Sequence, residues 1–238
     1  MLRRTRKVDV VVPAKTVGDV NRELLQILKS ADWVSDLHVA VEKPLSLARR
    51  DAVLACKTEW VAMIDADVTI PKQWFHMLEP YLAENVGAVA TVSVDNDADV
   101  SAYALVVKTI TPLENVETSP YINNVLVRRS VMEGYNPPKL FHGEDLMLKR
   151  HVVSQGLKWI VIGDVGARHH GKVSNKVESG AAYRRYGHYS VFQLARRFVA
   201  RLILSPYAAL ARRSVTTFWF LTRDNVQFFA GYFKEVFI

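Results

Sequence analysis

The sequence predicts an α/β fold: a mostly parallel central sheet flanked by helices, with amphipathic helices at its C-terminal end. Three observations carry that prediction. Short apolar runs alternate with helical patterns between Val8 and Ile64, and strand–helix alternation at such intervals builds a parallel sheet. The run Trp60-Val61-Ala62-Met63-Ile64 stops abruptly at Asp65-Ala66-Asp67, with the breaker Pro71 close behind, which reads as a buried parallel strand. The charge is also split. The chain carries +7 overall, but residues 172–238 hold 11 basic and 3 acidic side chains against 20 and 21 in residues 1–171. Whatever partner the basic excess has meets the tail.

At 238 residues, half of them hydrophobic, the chain has material for one sizeable core. We expect one large domain over 1–175 and a helical appendage over 176–238. The single cysteine, Cys56, excludes an intrachain disulfide framework and suits a reducing cytoplasm. Residues 1–7 are basic like the head of a signal peptide, but Asp9 and Pro13 interrupt the apolar segment behind them, so no signal peptide is expected. No run of about 18 uncharged apolar residues occurs, so no ordinary membrane-spanning helix is expected. P-loop, GxGxxG, HExxH and CxxC patterns are absent. That removes P-loop NTPases, dinucleotide oxidoreductases and zinc hydrolases from consideration.

The elements follow in order. Val8 to Pro13 is the first buried strand, ended by Pro13. Val20, Leu24, Leu25 and Leu28 set a helix over 19–28 with Asp19 as its cap. Leu37 to Glu42 is the second strand, Leu45 to Cys56 the second helix, and Trp60 to Ile64 the third strand. A helix over 74–82, which Pro80 can bend, precedes a strand over 87–94. Asp95-Asn96-Asp97-Ala98-Asp99 reads as a solvated acidic turn, with cation binding as the alternative, and strands are expected over 103–110 and 124–127. Gly134 and Pro137-Pro138 mark a loop over 132–141. Gly143-Glu144-Asp145 opens a helix that Gly156 ends, and a short strand over 159–162 follows. Arg168-His169-His170-Gly171 closes the near-neutral part of the chain.

The chemistry gathers in three clusters. While a strand stays extended, Asp65 and Asp67 share a face at the carboxyl end, where ligands of parallel sheets collect. Two carboxylates there can hold a hard divalent cation that grips a diphosphate. The alternative is that Asp65 ends the strand and Asp67 caps the next helix. Glu144 and Asp145, at a helix start, either complement its unpaired N–H groups or serve as reactive acids. His169-His170 supplies an imidazole able to join two carboxylates around a Mn²⁺-type ion.

Taken in order, these pieces resemble the family-2 glycosyltransferases of the GT-A (Rossmann-like) fold over about residues 7–171. Val10-Val11-Val12-Pro13 resembles that family's opening strand, and Leu47-Ala48-Arg49-Arg50-Asp51-Ala52 its Ala-Arg-Asn helix start. Asp65-Ala66-Asp67 resembles its Asp-X-Asp metal motif, and Arg128-Arg129 followed by Gly143-Glu144-Asp145 its acceptor-side block. His169 falls where members place a histidine after the last strand. Two positions depart: Ala14-Lys15 stands for the usual Tyr-Asn, and Glu42-Lys43-Pro44 for an Asp-rich loop.

The resemblance implies a nucleotide-binding half over 1–95 and an acceptor half over 96–175. Asp67 and His169 would hold Mn²⁺ or Mg²⁺ on the donor diphosphate, with Asp65 beside them or on the ribose. Pro13, Ala14, Glu42, Arg49, Asp65 and Ala66 would line the donor. Asp145, with Glu144 beside it, would take the proton of the acceptor hydroxyl, and a single displacement would invert the anomeric carbon. The cation would neutralise charge on the leaving nucleoside diphosphate.

In the tail, Arg185-Tyr186, with Arg184 before it, resembles in its last two residues the Arg-Trp step that membrane-bound members place beside the active site, where an arginine can clamp phosphate on the donor or the acceptor. Val191, Leu194, Ala195, Phe198, Val199, Leu202 and Ile203 form a helical apolar face flanked by Arg196, Arg197 and Arg201. Ser205-Pro206 is expected to break this helix. A second segment carries Leu210, Val215, Phe218, Trp219 and Leu221 behind Arg212 and Arg213, and a third carries Val226, Phe229, Phe233 and Phe237. Basic residues beside aromatic-rich faces suit helices lying in the plane of an anionic membrane. The alternative is that they pack on the large domain or on a twin subunit.

The expectation is an inverting, metal-dependent glycosyltransferase, peripheral or monotopic at the cytoplasmic face of the cell membrane. It would move mannose or glucose from a GDP- or UDP-sugar to a lipid-linked acceptor. Nucleic acid is not an expected partner. Competing readings are transfer directly to dolichyl or polyprenyl phosphate, and a nucleotidylyltransferase, whose glycine-rich loop is missing at Val12-Pro13-Ala14-Lys15. A third is a nucleic-acid-binding protein that uses the basic tail.

Overall fold

The computed structural model describes residues 6–41, 44–95, 121–137, 144–171, 176–185 and 190–234. The chain divides into two compact units, Met1–Val94 with Val116–His170 and Asp95–Asn115 with Gly171–Ile238. Among the described residues the first carries seven strands: β1 (Val8–Pro13), β2 (Val34–Ala40), β3 (Trp60–Ile64), β4 (Val68–Thr69), β5 (Val86–Asp95), β6 (Asn124–Arg128) and β7 (Lys158–His169). Its helices are α1 (Arg22–Ser30), α2 (Leu45–Ala55), α3 (Trp74–Leu78) and α4 (Glu144–Ser154).

The strands form one mixed sheet in the order β2-β1-β3-β6-β5-β7-β4. Parallel pairing holds for β2–β1 and β1–β3, the strands that the sequence shows alternating with helices. The β3–β6, β6–β5 and β7–β4 pairs are antiparallel. The period of two in β1 sorts its side chains into two layers. Val8, Val10 and Val12 face Leu24, Leu28, Trp33, Trp74, Phe75 and Leu78. Val11 faces Val53, Cys56, Leu148 and Val152 on the other side. Trp33 anchors the first layer, its ring 5.3 Å from Phe75 and 5.9 Å from Trp74.

Several boundaries differ from expectation. Asn21, not Asp19, caps α1: its Oδ1 accepts from Glu23 N and Leu24 N at 2.8 and 3.3 Å. Asp19 instead accepts from Thr16 N and Thr16 Oγ1 at 3.0 and 2.9 Å, closing a 3₁₀ turn. The second strand begins and ends earlier than 37–42. The helix expected over 74–82 stops at Leu78 and passes into a 3₁₀ turn at Glu79–Tyr81, where Pro80 has no N–H to give. The strand expected over 159–162 extends to His169, and β4 was not foreseen. Residues 103–110 and Asp97 and Asp99 lie outside the described residues.

The second unit contains α5 (Lys176–Arg185), α6 (Val191–Arg212) and α7 (Val215–Lys234). Val215 to Phe233 of the second and third tail segments thus lie on one helix, while Leu210 ends up on α6 and Phe237 lies outside the described residues. The expected break at Ser205-Pro206 does not occur: Pro206 sits inside α6. Proline removes one helical hydrogen bond and crowds the preceding turn, and the Ser205 hydroxyl donates to the Arg201 carbonyl at 2.6 Å in that turn. A Ser190–Gln193 capping box starts α6, and Arg213 at φ 50° ends it. Helices α5 and α7 meet backbone to backbone. A Cβ on Gly180 would lie 2.0 Å from the Phe228 carbonyl oxygen, and one on Gly231 2.0 Å from that of Val177. Among the described residues, no helix is long and apolar enough to cross a membrane.

Candidate functional site

Everything at the site starts from the end of β3. Met63, one residue before the end of β3, is the β-partner of Val11. Beyond Ile64 the chain turns at once. Asp65 N–H donates to the Asn123 carbonyl at 3.0 Å, Val68 N–H to the Asp65 carbonyl at 3.0 Å, and Asn21 N–H to the Ala66 carbonyl at 2.7 Å. Asp65 and Asp67 therefore do not share a face of an extended strand. Asp67 does not cap the next helix either, since Gln73 holds the N-cap position of α3.

Asp65 points to Arg49. This arginine, 3 % exposed, donates from Nη2 to Asp65 Oδ1 at 2.5 Å and from Nη1 to Glu144 Oε1 at 2.6 Å. Burial works against its charge, but Asp65 and Glu144 outweigh burial and hold its proton affinity above the ordinary value. The clasp joins the N-terminal half of α2, the end of β3 and the first residue of α4. Its neighbourhood is held by a polar network. Asn124, fully buried, accepts from Thr91 N–H at 3.1 Å and from the Thr91 hydroxyl. Its amide donates to Ser93 Oγ at 2.7 Å and Asn123 Oδ1 at 3.0 Å.

Asp67 looks elsewhere. The β4–β7 pairing sets Val68 against His169, bringing His169 Nε2 to 3.4 Å from Asp67 Oδ2. The histidine holds the carboxyl below its usual range, with partial burial opposing. The next residue completes the turn: His170 N–H donates to the Asp67 carbonyl at 2.7 Å, and its ring lies 2.9 Å from Thr69 Oγ1. Asp65, Asp67 and His169 do not form one ligand set. Among the described residues the group of three metal-type donors within 4.8 Å of one another is Asp9, His38 and Cys56.

Asp145 follows Glu144 but does not join the clasp. Its Oδ1 accepts from Leu146 N–H at 2.8 Å. Burial first, and then the Glu144 charge, push it up to about 6, while the Leu146 N–H and Arg49 pull it back. Tyr135 shares this field: burial, then Glu144, raise its hydroxyl above the ordinary range. Its ring stands 4.8 Å from that of His151 on α4. In the sequence Tyr135 falls within the loop over 132–141, directly after Gly134.

The remaining candidates divide. Pro13 is buried, and Ala14 donates its N–H to the Ala40 carbonyl at 2.9 Å and packs on the first layer, as does Ala66. Arg49, expected on the nucleoside, is instead sealed between two carboxylates. Glu144, expected beside the base, directly precedes Asp145 at the start of α4 and accepts from Arg49. Glu42 and Tyr186 lie outside the described residues. Arg184 and Arg185 are exposed on α5, and the Arg184 guanidinium stands 5.5 Å over the Tyr232 ring.

In the tail, Phe198 does not face outward. Its ring is 4.7 Å from Phe229, and its carbonyl accepts from Asn225 Nδ2 at 3.2 Å. Leu194 is likewise buried with Phe228 and Tyr232. Arg196 and Trp219 are exposed, while Arg201 and Phe218 are half-buried; the Arg197 side chain is not among those described. The outward apolar strip of α6 keeps Val191, Val199, Leu202 and Ile203 of the expected face and adds Phe192, Tyr207 and Leu210, all between 37 and 78 % exposed.

No family model matches the sequence, and no curated protein matches it. Solved structures do match. The mannosyltransferase PcManGT from Pyrobaculum calidifontis, in complex with GDP-Man and Mn²⁺, superposes with a TM-score of 0.66 at 15 % identity, covering 98 % of this chain and 88 % of that one. The glucosyl-3-phosphoglycerate synthase from Mycobacterium tuberculosis, in complex with Mn²⁺, UDP-glucose and phosphoglyceric acid, gives 0.52 at 16 % identity, covering 78 % and 81 %. At such identities the likeness is one of architecture, and the architecture is the GT-A fold.

Proposed function

We propose that this protein is an inverting, metal-dependent glycosyltransferase. It moves mannose or glucose from a GDP- or UDP-sugar to a hydroxyl of a lipid-linked acceptor at the cytoplasmic face of a membrane. The observation that carries the reading is the division within two acid doublets. Asp65 and Glu144 are committed to Arg49, while Asp67 and Asp145 remain beside them with altered proton affinities.

The residues fit a hard divalent ion. Two donors about 2.1 Å from one octahedral ion stand about 3 Å apart, and Asp67 Oδ2 and His169 Nε2 are 3.4 Å apart. Carboxylate and imidazole suit Mn²⁺ and Mg²⁺, with diphosphate oxygens completing the shell. When bound, such an ion neutralises charge on the departing nucleoside diphosphate. Asp145, at about 6, is ionised at neutral pH and still basic enough to take a hydroxyl proton. A phosphate acceptor is already ionised and needs no base, so Asp145 favours a hydroxyl. The GDP-Man and UDP-glucose complexes of proteins sharing the fold support the donor class.

The membrane part of the reading rests on the tail. Residues 172–238 carry a net +8, the outward strip of α6 is apolar, and each Lys or Arg near an anionic surface adds about 1 kcal/mol. The deciding experiment is a screen of GDP- and UDP-sugars with lipid-linked acceptors, with and without Mn²⁺. One donor should turn over only with the cation, with inverted product. Silence toward every nucleotide-sugar in both conditions overturns the reading. Co-sedimentation with anionic vesicles across salt, run beside duplex DNA, tests the tail: vesicle binding supports it, and preference for DNA overturns it.

A further inference from the structure

Three side chains of different chemistry meet away from the acid doublets. Asp9 of β1, His38 of β2 and Cys56 just after α2 each bring a ligand atom within 4.8 Å of the other two. The fold explains the meeting. Alternation along β1 puts Asp9 on the same face as Val11, and Val11 is the β-partner of His38. Helix α2 returns over this face and leaves Cys56 in the layer of Val11 and Val53. Asp9 also pairs with Val61, four residues before Asp65, which is about 13 Å along a strand. The trio is therefore separate from the Asp67–His169 pair.

We propose that Asp9, His38 and Cys56 form a second cation site, for a thiophilic divalent ion of the Zn²⁺ class. Thiolate, imidazole and carboxylate are the donor types that this ion takes, and three protein donors leave a fourth position for water. Donors on a tetrahedral ion stand about 3.3–3.8 Å apart, so closing the trio from within 4.8 Å is a side-chain adjustment. The carboxylate is already oriented, because Asp9 Oδ2 accepts from Lys57 N–H at 2.7 Å and Thr58 N–H at 3.1 Å. Such hydrogen bonds from outside the ligand set steady a metal ligand.

The surroundings favour positive charge. A second carboxylate stands beside the trio, Asp36 Oδ2 lying 3.5 Å from His38 Nε2, while burial, ahead of the Asp9 and Asp36 charges, holds the Cys56 thiol in its protonated form. The Cys56 thiol now donates to the Ala52 carbonyl at 3.2 Å. On binding, the sulfur–metal bond forms, the thiol proton passes to solvent, and hydration waters leave the ion. Asp9 and Cys56 are buried and His38 is half-buried, so the imidazole side is the entry.

The test uses the full chain and Co²⁺ as a spectroscopic stand-in for Zn²⁺. One equivalent should give a thiolate-to-cobalt charge-transfer band, which Zn²⁺ abolishes by displacement. Cys56→Ser should lose the band, and His38→Gln should weaken Co²⁺ and Zn²⁺ binding by more than about tenfold. Asp67→Asn should keep both. Should Cys56→Ser fail to fold, His38→Gln, altered at the partly exposed ligand, decides. No band at one equivalent, a band surviving Cys56→Ser, or undiminished binding in His38→Gln overturns the proposal. None of these readouts depends on glycosyl transfer.

Discussion

Asp65 and Asp67 stand two residues apart in one turn, yet they occupy opposite electrostatic situations. Asp65 is 22 % exposed and held at 2.5 Å by a sealed arginine; Asp67 is 47 % exposed and shares a looser 3.4 Å contact with a histidine. Glu144 and Asp145 repeat the contrast at the start of α4, the first in the arginine clasp and the second with its proton affinity raised. A buried ion pair is costly to desolvate and becomes punishing once one partner is removed. It is therefore a device for location. The neighbouring acid inherits a fixed position without being consumed by a strong partner, and its proton or a cation remains exchangeable.

The comparison breaks or sharpens under substitution. The largest effect is expected from Asp145→Asn, which should lower kcat/KM by about 10²–10⁴ with no loss of thermal stability at neutral pH. A loss of stability equal to that in Glu144→Gln would place Asp145 with the clasp. The pH profile adds a signature: kcat/KM should fall below about pH 6 as Asp145 protonates. Because folding raises this proton affinity, the Asp145 contribution to stability is most favourable below the ordinary carboxylate range. It declines as pH rises toward 6. Asp145→Asn should remove that slope from a series of denaturation curves.

Arg49→Met comes next. Leaving Asp65 and Glu144 facing each other without a cation should cost about 3–5 kcal/mol in urea unfolding. Adding Asp65→Asn and Glu144→Gln should recover part of it, and additivity instead of recovery would mean the three do not act as a unit. A smaller effect separates the turn acids. Asp67→Asn should weaken Mn²⁺ binding by about 10–100-fold while changing stability by no more than about 0.5 kcal/mol; Asp65→Asn should do the reverse. Salt gives the smallest: raising ionic strength should loosen the exposed Asp67–His169 pair and leave the Arg49 clasp untouched.

Much of the first unit was legible because its signals are local. The runs at Val8 and Trp60 are long enough for their burial to show in composition, and α2 was placed within a residue of its ends. The two-residue strand β4 was not legible, since no periodicity can be seen over Val68-Thr69, although its pairing is what carries His169 to Asp67. The tail misled in a different way. Its apolar residues lie on more than one side of α6, and periodicity alone does not say which side meets α7. Leu194 and Phe198 turned inward, while Phe192 and Leu210, outside the expected face, turned out to be exposed. Gly180 and Gly231 gave no signal until the helices were seen to touch at both.

What the sequence by itself determined is the kind of molecule: an α/β sheet from alternating apolar runs, acids at the ends of elements, and a basic amphipathic tail. Those properties depend on neighbours within a few residues, and a linear reading contains them. Only the tertiary structure decided which acid is anchored and which is available, because that depends on where Arg49 comes to rest, 16 residues from Asp65 and 95 from Glu144. Charge pairing across such separations is settled by packing. A carboxylate becomes anchor or reagent according to the dielectric and the partner that the fold places beside it.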